Sequence, residues 1–190
     1  QMLGARYPTQ TIEMVNAGLS GETAIQGLNR IGLQVDAVRP EVVLILQGTN
    51  DLSGSMFDLN ATNQALDGMI RASQTRGAEP IIATVPPVRV PGREIAAANI
   101  PSLNSAIRSL AVSSSIRLVD VFTALSTGSC AGSNLPCIGV DNLHPTAMGY
   151  EVMAQAFMDV IMEEYDVQSA RAQQLVLDNT PDDLLQEPGP

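Results

Sequence analysis

Short runs of apolar residues alternate along this chain with segments of helical periodicity, and this alternation limits the possible folds more than any other feature. The runs cover residues 42–46, 80–85 and 117–122, the last of which also contains Arg117 and Asp120. A continuous apolar run is typical of a strand that is buried on both faces of a parallel sheet. Because helical segments separate the runs, the sequence predicts an α/β fold with a parallel sheet and right-handed crossovers.

The other elements follow from residue spacing and from the positions of proline and glycine. A further short strand is predicted at residues 11–15, and a surface loop at 88–98. Helices are predicted at 24–38 and in a segment that ends near Gly77 and has Leu66, Met69 and Ile70 on one face. A third helix is predicted from Pro101 onward, with Leu103, Ile107 and Leu110 on its apolar face. The last is predicted at 146–165, with a polar stripe formed by Glu151, Gln155, Asp159 and Glu163.

The composition predicts one folded domain with a tail. A chain of 190 residues is long enough to bury a sizeable core. We place the domain at residues 1–166 and an acidic C-terminal extension at 167–190, with a short helix expected at 170–177.

The charge balance argues against some classes of partner. Twenty acidic residues stand against ten basic ones, which gives a net charge of -10, so neither nucleic acid nor an anionic membrane is an expected partner. No apolar run approaches the roughly 20 residues of a transmembrane helix. The first eight residues resemble the end of a helix, and we expect a further segment upstream of residue 1.

The two cysteines, Cys130 and Cys137, lie in one loop that is rich in glycine, serine and asparagine. They could close a small disulfide ring, which would indicate an oxidising compartment, or they could be two free thiols that share a loop. A metal site is not expected because the chain has a single histidine. No cofactor is expected.

That single histidine, His144, follows Asp141 by three residues and precedes a predicted helix. A carboxylate at this spacing can reach an imidazole nitrogen, fix its tautomer and stabilise the imidazolium cation. Histidine titrates near neutrality, so it suits a general base. A lone histidine is more often a structural residue, and the neighbouring carboxylate is what favours the catalytic interpretation.

Two glycine-containing turns follow predicted strands. In the turn 48–51, Asn50 could donate its side-chain amide to a developing oxyanion, or it could simply favour the turn. In the stretch 16–23, Gly21 would let backbone amides approach an anionic group at the start of a helix. The simpler interpretation is a helix cap by Ser20 or Thr23, with Glu22 near the positive end of the helix dipole.

These blocks, Ser-Gly-Glu-Thr, Gly-Thr-Asn-Asp and Asp-x-x-His-Pro, resemble in order and spacing those of the SGNH hydrolase superfamily, also called GDSL esterases and lipases. The resemblance covers about residues 11–165. It implies a flavodoxin-like three-layer α/β/α sandwich with a five-stranded parallel sheet. By position, His144 resembles the base, Asp141 its orienting acid, and Gly21 and Asn50 the oxyanion-hole donors.

The chain departs from the family at its nucleophile. The family's serine lies in a Gly-Asp-Ser motif after the first strand, and this sequence contains no such motif. Ser20, Ser53 and Ser55 lack the strand–turn–helix context of that block. We therefore expect the first strand and the serine to lie upstream of residue 1 or on a separate complementing polypeptide.

The resemblance implies a serine-type carboxylic-ester hydrolase that acts on a small-molecule ester through an acyl-enzyme, in a secreted or periplasmic location. An alternative is a catalytically inactive SGNH-like module for binding or assembly, whose open sheet accepts a strand from another chain. A third interpretation is acyl transfer to a sugar on the same fold. The sequence does not define the acyl chain length.

Overall fold

The structure, a computed structural model, describes residues 2–53 and 57–179, with side chains for all of these except residues 53 and 167–179. Short 3-10 turns lie at Asp51–Ser53 and Gly128–Cys130. The helices and strands are, in chain order, α1 (Met2–Arg6), α2 (Ala24–Val38), β1 (Val42–Ile45), α3 (Leu59–Gln74), β2 (Glu79–Ala83), α4 (Glu94–Ser113), β3 (Arg117–Val119), α5 (Val121–Ala124) and α6 (Ala147–Asn179).

The three apolar runs form a parallel sheet in the order β1-β2-β3. Leu44 of β1 lies opposite Ile81 of β2, which lies opposite Arg117 of β3. The predicted parallel α/β arrangement is thus confirmed. The third strand is shorter than its apolar run, because the Asp120 side chain accepts a hydrogen bond from the Thr123 amide at 3.0 Å and starts α5.

Helices cover the sheet on both faces, which gives the three layers that the resemblance implied. Ile45 and Ile82 point into one apolar cluster with residues of α2, α3 and α4. Ile81 and Val119 point into a second cluster with α5, α6 and the disulfide loop. Neighbouring residues of β2 thus serve opposite faces, as the two-residue period of a strand requires.

The strand predicted at residues 11–15 is wrong. These residues are exposed and pair with no strand in the described part of the chain. A β-strand exists only where a neighbouring backbone completes its hydrogen bonds. The alternating apolar residues of this segment are therefore insufficient for a strand, and Met14 is among the most exposed apolar side chains.

The third helix begins earlier than predicted. The expected loop at 88–98 ends at Arg93, and Pro101 lies well inside α4 rather than in its first turn. Glu94 supplies a start signal that the sequence interpretation missed, because its carboxylate lies at the positive end of the helix dipole and accepts from the Gly92 amide at 2.9 Å. Pro101 costs one backbone hydrogen bond, and the buried neighbours Ile100 and Leu103 pack the helix against the core.

Helix α6 runs without a break from Ala147 to Asn179, so the expected end near residue 165 and the separate helix at 170–177 are wrong. No glycine or proline interrupts residues 150–180, which explains the continuity. The predicted polar stripe is confirmed as exposed. Residues 180–190 of the expected acidic extension lie outside the described residues.

Candidate active site

Asn50, Asp141 and His144 lie in loops that follow the carboxyl ends of parallel strands, where sites gather in open α/β sheets. Gly21, the fourth predicted site residue, lies in the turn before α2. The turn with Asn50 follows β1, and the loop 139–144 with His144 comes after β3 and α5. Residues 84–93 follow β2 and contact the His144 loop. The order of the elements thus brings these loops to one edge of the sheet.

Asp141 and His144 form the predicted pair. His144 Nδ1 lies 2.5 Å from Asp141 Oδ2, and because an ionised carboxylate only accepts, Nδ1 carries the proton. The imidazole and the backbone amides of Leu143 and His144 hold the pKa of Asp141 at about 2. The His144 side chain is 66% exposed, and its Nε2 makes no hydrogen bond to any of the described residues.

The loop that carries this pair is closed by its own backbone. The Gly139 amide donates to the His144 carbonyl at 2.7 Å, and the Asn142 amide donates to the Gly139 carbonyl at 3.0 Å. Asn142 has a φ of 63°, a left-handed conformation that asparagine tolerates better than most residues. Asn142 sits between Asp141 and His144, and the sequence analysis did not single it out.

Gly21 and Asn50 are brought together by a side-chain hydrogen bond. Asn50 Nδ2 donates to the carbonyl of Glu22, next to Gly21, at 2.9 Å. Since an amide nitrogen carries two hydrogens, Asn50 keeps a second donor. Gly21 has a φ of 77°, and its amide donates to no acceptor among the residues that the structure describes.

A buried carboxylate that the sequence analysis assigned to the helix dipole holds this turn in place. Glu22 is only 3% exposed, and it forms an ion pair with Arg30. Gln47 Nε2 donates to Glu22 Oε2 at 2.6 Å, and Arg30 Nη2 donates to the Ala17 carbonyl at 2.7 Å. These bonds tie the Gly21 turn to α2 and to the segment that precedes Asn50.

Asp51 makes a second tie between the same two blocks. One of its carboxylate oxygens accepts from the Ala24 amide at the start of α2 at 2.9 Å, and the other accepts from the Thr62 hydroxyl at 3.1 Å. Asp51 thus binds the first turn of α2 from another loop. Of the two residues expected to cap this helix, Ser20 and Thr23, the structure has Thr23. Thr23 is the N-cap residue, and the Gln26 side chain accepts from its amide at 2.9 Å.

The cysteines form a disulfide in the loop before the His144 loop, as one of the two sequence interpretations expected. Both cysteines are fully buried. The Cys137 carbonyl accepts from the Thr146 amide at 2.8 Å, which ties the ring to the start of α6 on the far side of His144.

Arg89 joins the loop after β2 to the His144 loop. Its side chain donates to Asn142 Oδ1 at 3.0 Å, to the Gly139 carbonyl at 2.6 Å and to the Asn134 carbonyl at 3.2 Å. The sequence analysis missed this residue. Its only signal was an arginine directly after the apolar stretch that ends Pro86-Pro87-Val88.

The Asp141–His144 pair and the two predicted oxyanion donors, Gly21 and Asn50, form two separate clusters of contacts. They share an apolar support, because Leu143 packs against the same buried cluster as Leu52. Within the described residues, no hydroxyl donates to His144, and no group of histidine, cysteine and acidic residues could hold a metal. An apolar cavity of about 260 Å³ lies nearby between Val88, Phe122 and Leu135.

Comparison with known proteins identifies the family of this chain. The profile of the GDSL-like lipase/acylhydrolase family matches residues 1–152. A GDSL-like lipase from Bacteroides thetaiotaomicron is 28% identical, with 78% of this chain and 75% of that chain covered and a TM-score of 0.69. A putative acylhydrolase from Bacteroides fragilis is 26% identical, with 78% and 74% covered and a TM-score of 0.69.

The fold is shared with an acetyl xylan esterase variant from Geobacillus stearothermophilus. That protein is 23% identical, with 84% of this chain and 77% of that chain covered and a TM-score of 0.70. No curated protein matches the chain in sequence. The family profile covers well over half of the chain, and the matched region contains Gly21, Asn50, Asp141 and His144. The chain therefore belongs to the GDSL-like lipase/acylhydrolase family and is an enzyme of the carboxylesterase and lipase type.

Proposed function

We propose that this chain carries the base and the oxyanion donors of a serine-type carboxylic-ester hydrolase that works through an acyl-enzyme. The observation that carries the proposal is the Asp141–His144 pair, in which His144 Nδ1 lies 2.5 Å from Asp141 Oδ2 and the imidazole side chain is 66% exposed. In this arrangement Nε2 takes the proton of a serine hydroxyl as its oxygen attacks the ester carbonyl. The imidazolium then gives that proton to the leaving alkoxide.

The oxyanion of the tetrahedral intermediate is stabilised by the Gly21 amide and by the second Nδ2 hydrogen of Asn50. Both donors are fixed before the reaction, because Glu22 and Asp51 hold their turns against α2. Fixed donors of this kind supply roughly 3–4 kcal/mol each. In the second half of the reaction His144 takes a proton from water as the water oxygen attacks the acyl carbonyl, and it then gives that proton to the serine oxygen as the carboxylic acid leaves.

We place the nucleophilic serine on a strand that lies upstream of residue 1 or on a complementing polypeptide, and that pairs with the free edge of β1. Two observations support this position. The edge of β1 away from β2 has no strand partner among the described residues. Leu44 of β1 is 40% exposed, on a face of the sheet that is otherwise covered, and Val15 and Leu19 are exposed as well.

We further propose that the substrate is a small-molecule ester and that the protein works outside the cytoplasm, in a secreted or periplasmic location. The disulfide supports the location, since such bonds persist in oxidising compartments. No helix in the described residues is long and apolar enough to cross a membrane. Three relatives named as lipase, acylhydrolase and acetyl xylan esterase support an ester substrate.

A second candidate is a binding or assembly module without catalysis, and one observation favours it. The open edge of β1 offers unpaired backbone groups that a strand from another protein could bind. Such a module would be indifferent to the loss of His144, whereas the hydrolase would not. Retention of Asp141 in contact with His144 has no role in that alternative, so we prefer the hydrolase.

The test is hydrolysis of p-nitrophenyl esters of increasing acyl length by the natural polypeptide, with its intact mass recorded. His144→Ala should abolish turnover. Asn50→Ala should reduce kcat roughly 100- to 1,000-fold. Asn29→Ala, a matched change on the exposed face of α2, should change it little. Turnover that survives His144→Ala would refute the proposal.

The position of the serine needs a separate experiment. A fluorophosphonate probe labels the activated serine of such hydrolases, and mass mapping of the labelled peptide identifies the residue. We expect the label upstream of residue 1 or on a second polypeptide. A label on Ser20, Ser53 or Ser55 would contradict that position while leaving the hydrolase intact. Absence of both turnover and label would favour the binding module.

A further inference from the structure

The Asp141–His144 pair lies at the surface, so burial cannot keep it in one orientation. Asp141 is 45% exposed in its side chain and Val140 is almost fully exposed. The internal bonds of the loop 139–144 close it on itself, but they do not fix it relative to the sheet. A loop of this kind needs contacts with another element if its base is to point in a constant direction.

Arg89 makes most of these contacts. Its guanidinium uses all three nitrogens on three oxygen atoms, namely Asn142 Oδ1 and the carbonyls of Gly139 and Asn134. The Arg89 backbone amide also donates to the Asn142 carbonyl at 3.1 Å. Among the described residues no carboxylate forms an ion pair with Arg89. Two of its guanidinium nitrogens bind the loop 139–144, and the third binds Asn134 in the disulfide loop. These bonds reach Gly139, the first residue of the loop, and Asn142, which follows Asp141 directly.

We infer that Arg89 is a positioning residue for the reaction, acting through Asn142 to hold the Nδ1–H of His144 on Asp141 and its Nε2 toward the reacting centre. The inference rests on the proposed function, and it deepens that function by naming the group that orients the base. Arg89 touches neither the imidazole nor the Asp141 carboxylate, so its effect passes through the backbone of the loop.

The chemistry of the contacts requires arginine at this position. A guanidinium offers five N–H groups in a planar fork, and here it bridges three acceptors that come from two loop segments. An ammonium group has one nitrogen and could not reach all three. The bond from Arg89 Nε to Asn142 Oδ1 also helps to keep Asn142 in its left-handed conformation, which orients the peptide groups on either side of it. Asn142 Nδ2 in turn donates to the Pro91 carbonyl at 3.0 Å.

The single histidine makes this inference testable by spectroscopy without any need for turnover. The ring ¹⁵N shifts of His144 report directly which nitrogen carries the proton, and no other imidazole contributes a signal. Wild type should show the Nδ1–H tautomer. In Arg89→Ala we expect a shift toward the Nε2–H tautomer that free imidazole side chains favour. Arg71→Ala, which removes an equal charge from an exposed pair on α3, should keep the wild-type tautomer.

Two further variants separate positioning from folding. Arg89→Lys keeps the charge and the aliphatic stem, so it should fold if Arg89→Ala does not, and it should also lose the Nδ1–H tautomer. Asn142→Ala should do the same, and adding Arg89→Ala to it should have little further effect, because both act on one connection. Guanidinium ion at a concentration below the denaturing range should restore the tautomer in Arg89→Ala.

Kinetics on the form of the protein that carries the serine complete the test. Arg89→Ala should lower kcat for a p-nitrophenyl ester about 100-fold with KM nearly unchanged, since a displaced base slows the chemical step without removing substrate contacts. Folded Arg89 variants that keep the Nδ1–H tautomer would overturn the inference, whatever their kcat. If wild type hydrolyses no ester, the proposed function fails, and the tautomer measurements still decide whether Arg89 orients His144.

Discussion

The turns that carry the predicted oxyanion donors, Gly21 and Asn50, are held by the buried carboxylate of Glu22, and Glu22→Gln is the most informative change to make there. Gln has the shape of Glu and keeps one oxygen, so the substitution removes charge with little change in volume. In wild type the Glu22 carboxylate pairs with Arg30 and accepts from Gln47 Nε2 at 2.6 Å. In the variant the Arg30 guanidinium loses its anionic partner, and the new NH2 group must face one of these donors.

The size of the effect follows from the burial of the two partners. Removing one partner of a fully buried pair costs about 3–5 kcal/mol. Here Glu22 is buried but the Arg30 side chain is 28% exposed and recovers part of its hydration. We therefore expect the free energy of unfolding to fall by about 2–3 kcal/mol, which corresponds to a Tm lower by roughly 5–10 °C in a domain of this size.

The stability difference between wild type and Glu22→Gln should depend on pH in a direction that a simple packing defect would not produce. The ion pair with Arg30 lowers the pKa of Glu22 below its ordinary value of 4.5. A carboxyl with a lowered pKa stabilises the folded state fully above that ordinary value, and this contribution is lost as the pH falls through the folded-state pKa. The difference in Tm between wild type and Glu22→Gln should therefore shrink in acid.

Calorimetry at neutral pH and at pH 3 measures both effects. Asp67→Asn is the matched control, because Asp67 pairs with Arg71 on the exposed face of α3 and the change should cost less than about 1 kcal/mol. A Glu22→Gln variant as stable as wild type at neutral pH would refute the reasoning. A full-sized difference that persists at pH 3 would show that the new NH2 group beside the Arg30 and Gln47 donors, and not the lost charge, destabilises the variant.

Two other predictions concern stability. Replacing both Cys130 and Cys137 by serine should lower the free energy of unfolding by about 2–3 kcal/mol, since the bond closes a short ring of the unfolded chain; urea denaturation of the double variant measures it, and an unchanged midpoint would contradict it. Gly48→Ala should lower the free energy of unfolding by about 3 kcal/mol, and Gly77→Ala should lower it by about 1 kcal/mol. Both glycines have a positive φ, but only at Gly48 would a new methyl group meet a core side chain, Leu103, at 3.0 Å. Equal losses would show that backbone strain alone matters.

The parts of the fold that the sequence predicted well are those in which local pattern and burial agree. The run 42–46 is continuously apolar, as is typical of a buried strand in a parallel sheet, and the structure has it in the sheet as β1. Likewise the three-residue spacing of Asp141 and His144 allows one geometry in a tight turn, and the structure has their side chains in contact. The catalytic roles of these residues stay predictions.

The failures share a physical cause, because each depended on groups distant in sequence. Residues 11–15 have the pattern of a strand, but a strand also needs a partner, and the described residues supply none. Glu22 was assigned to the helix dipole by its position, whereas its real partners are Arg30 and Gln47. Arg89 binds Asn142 across 53 positions of the chain, and no local pattern reports such a contact.

The two predicted halves of the site are each held by an arginine side chain that binds several oxygen atoms. All ten basic residues are arginine. In the oxyanion half, Arg30 joins the Glu22 carboxylate to the Ala17 carbonyl, and in the base half, Arg89 joins three loop oxygens. Each guanidinium binds several oxygens from separate segments at once, which a lysine could not do at either place. Both guanidinium groups bind oxygen atoms of the protein itself, so they stabilise the loops that carry the site. The exposed reacting groups can then keep a fixed geometry without being buried, as electrostatic stabilisation of the transition state requires.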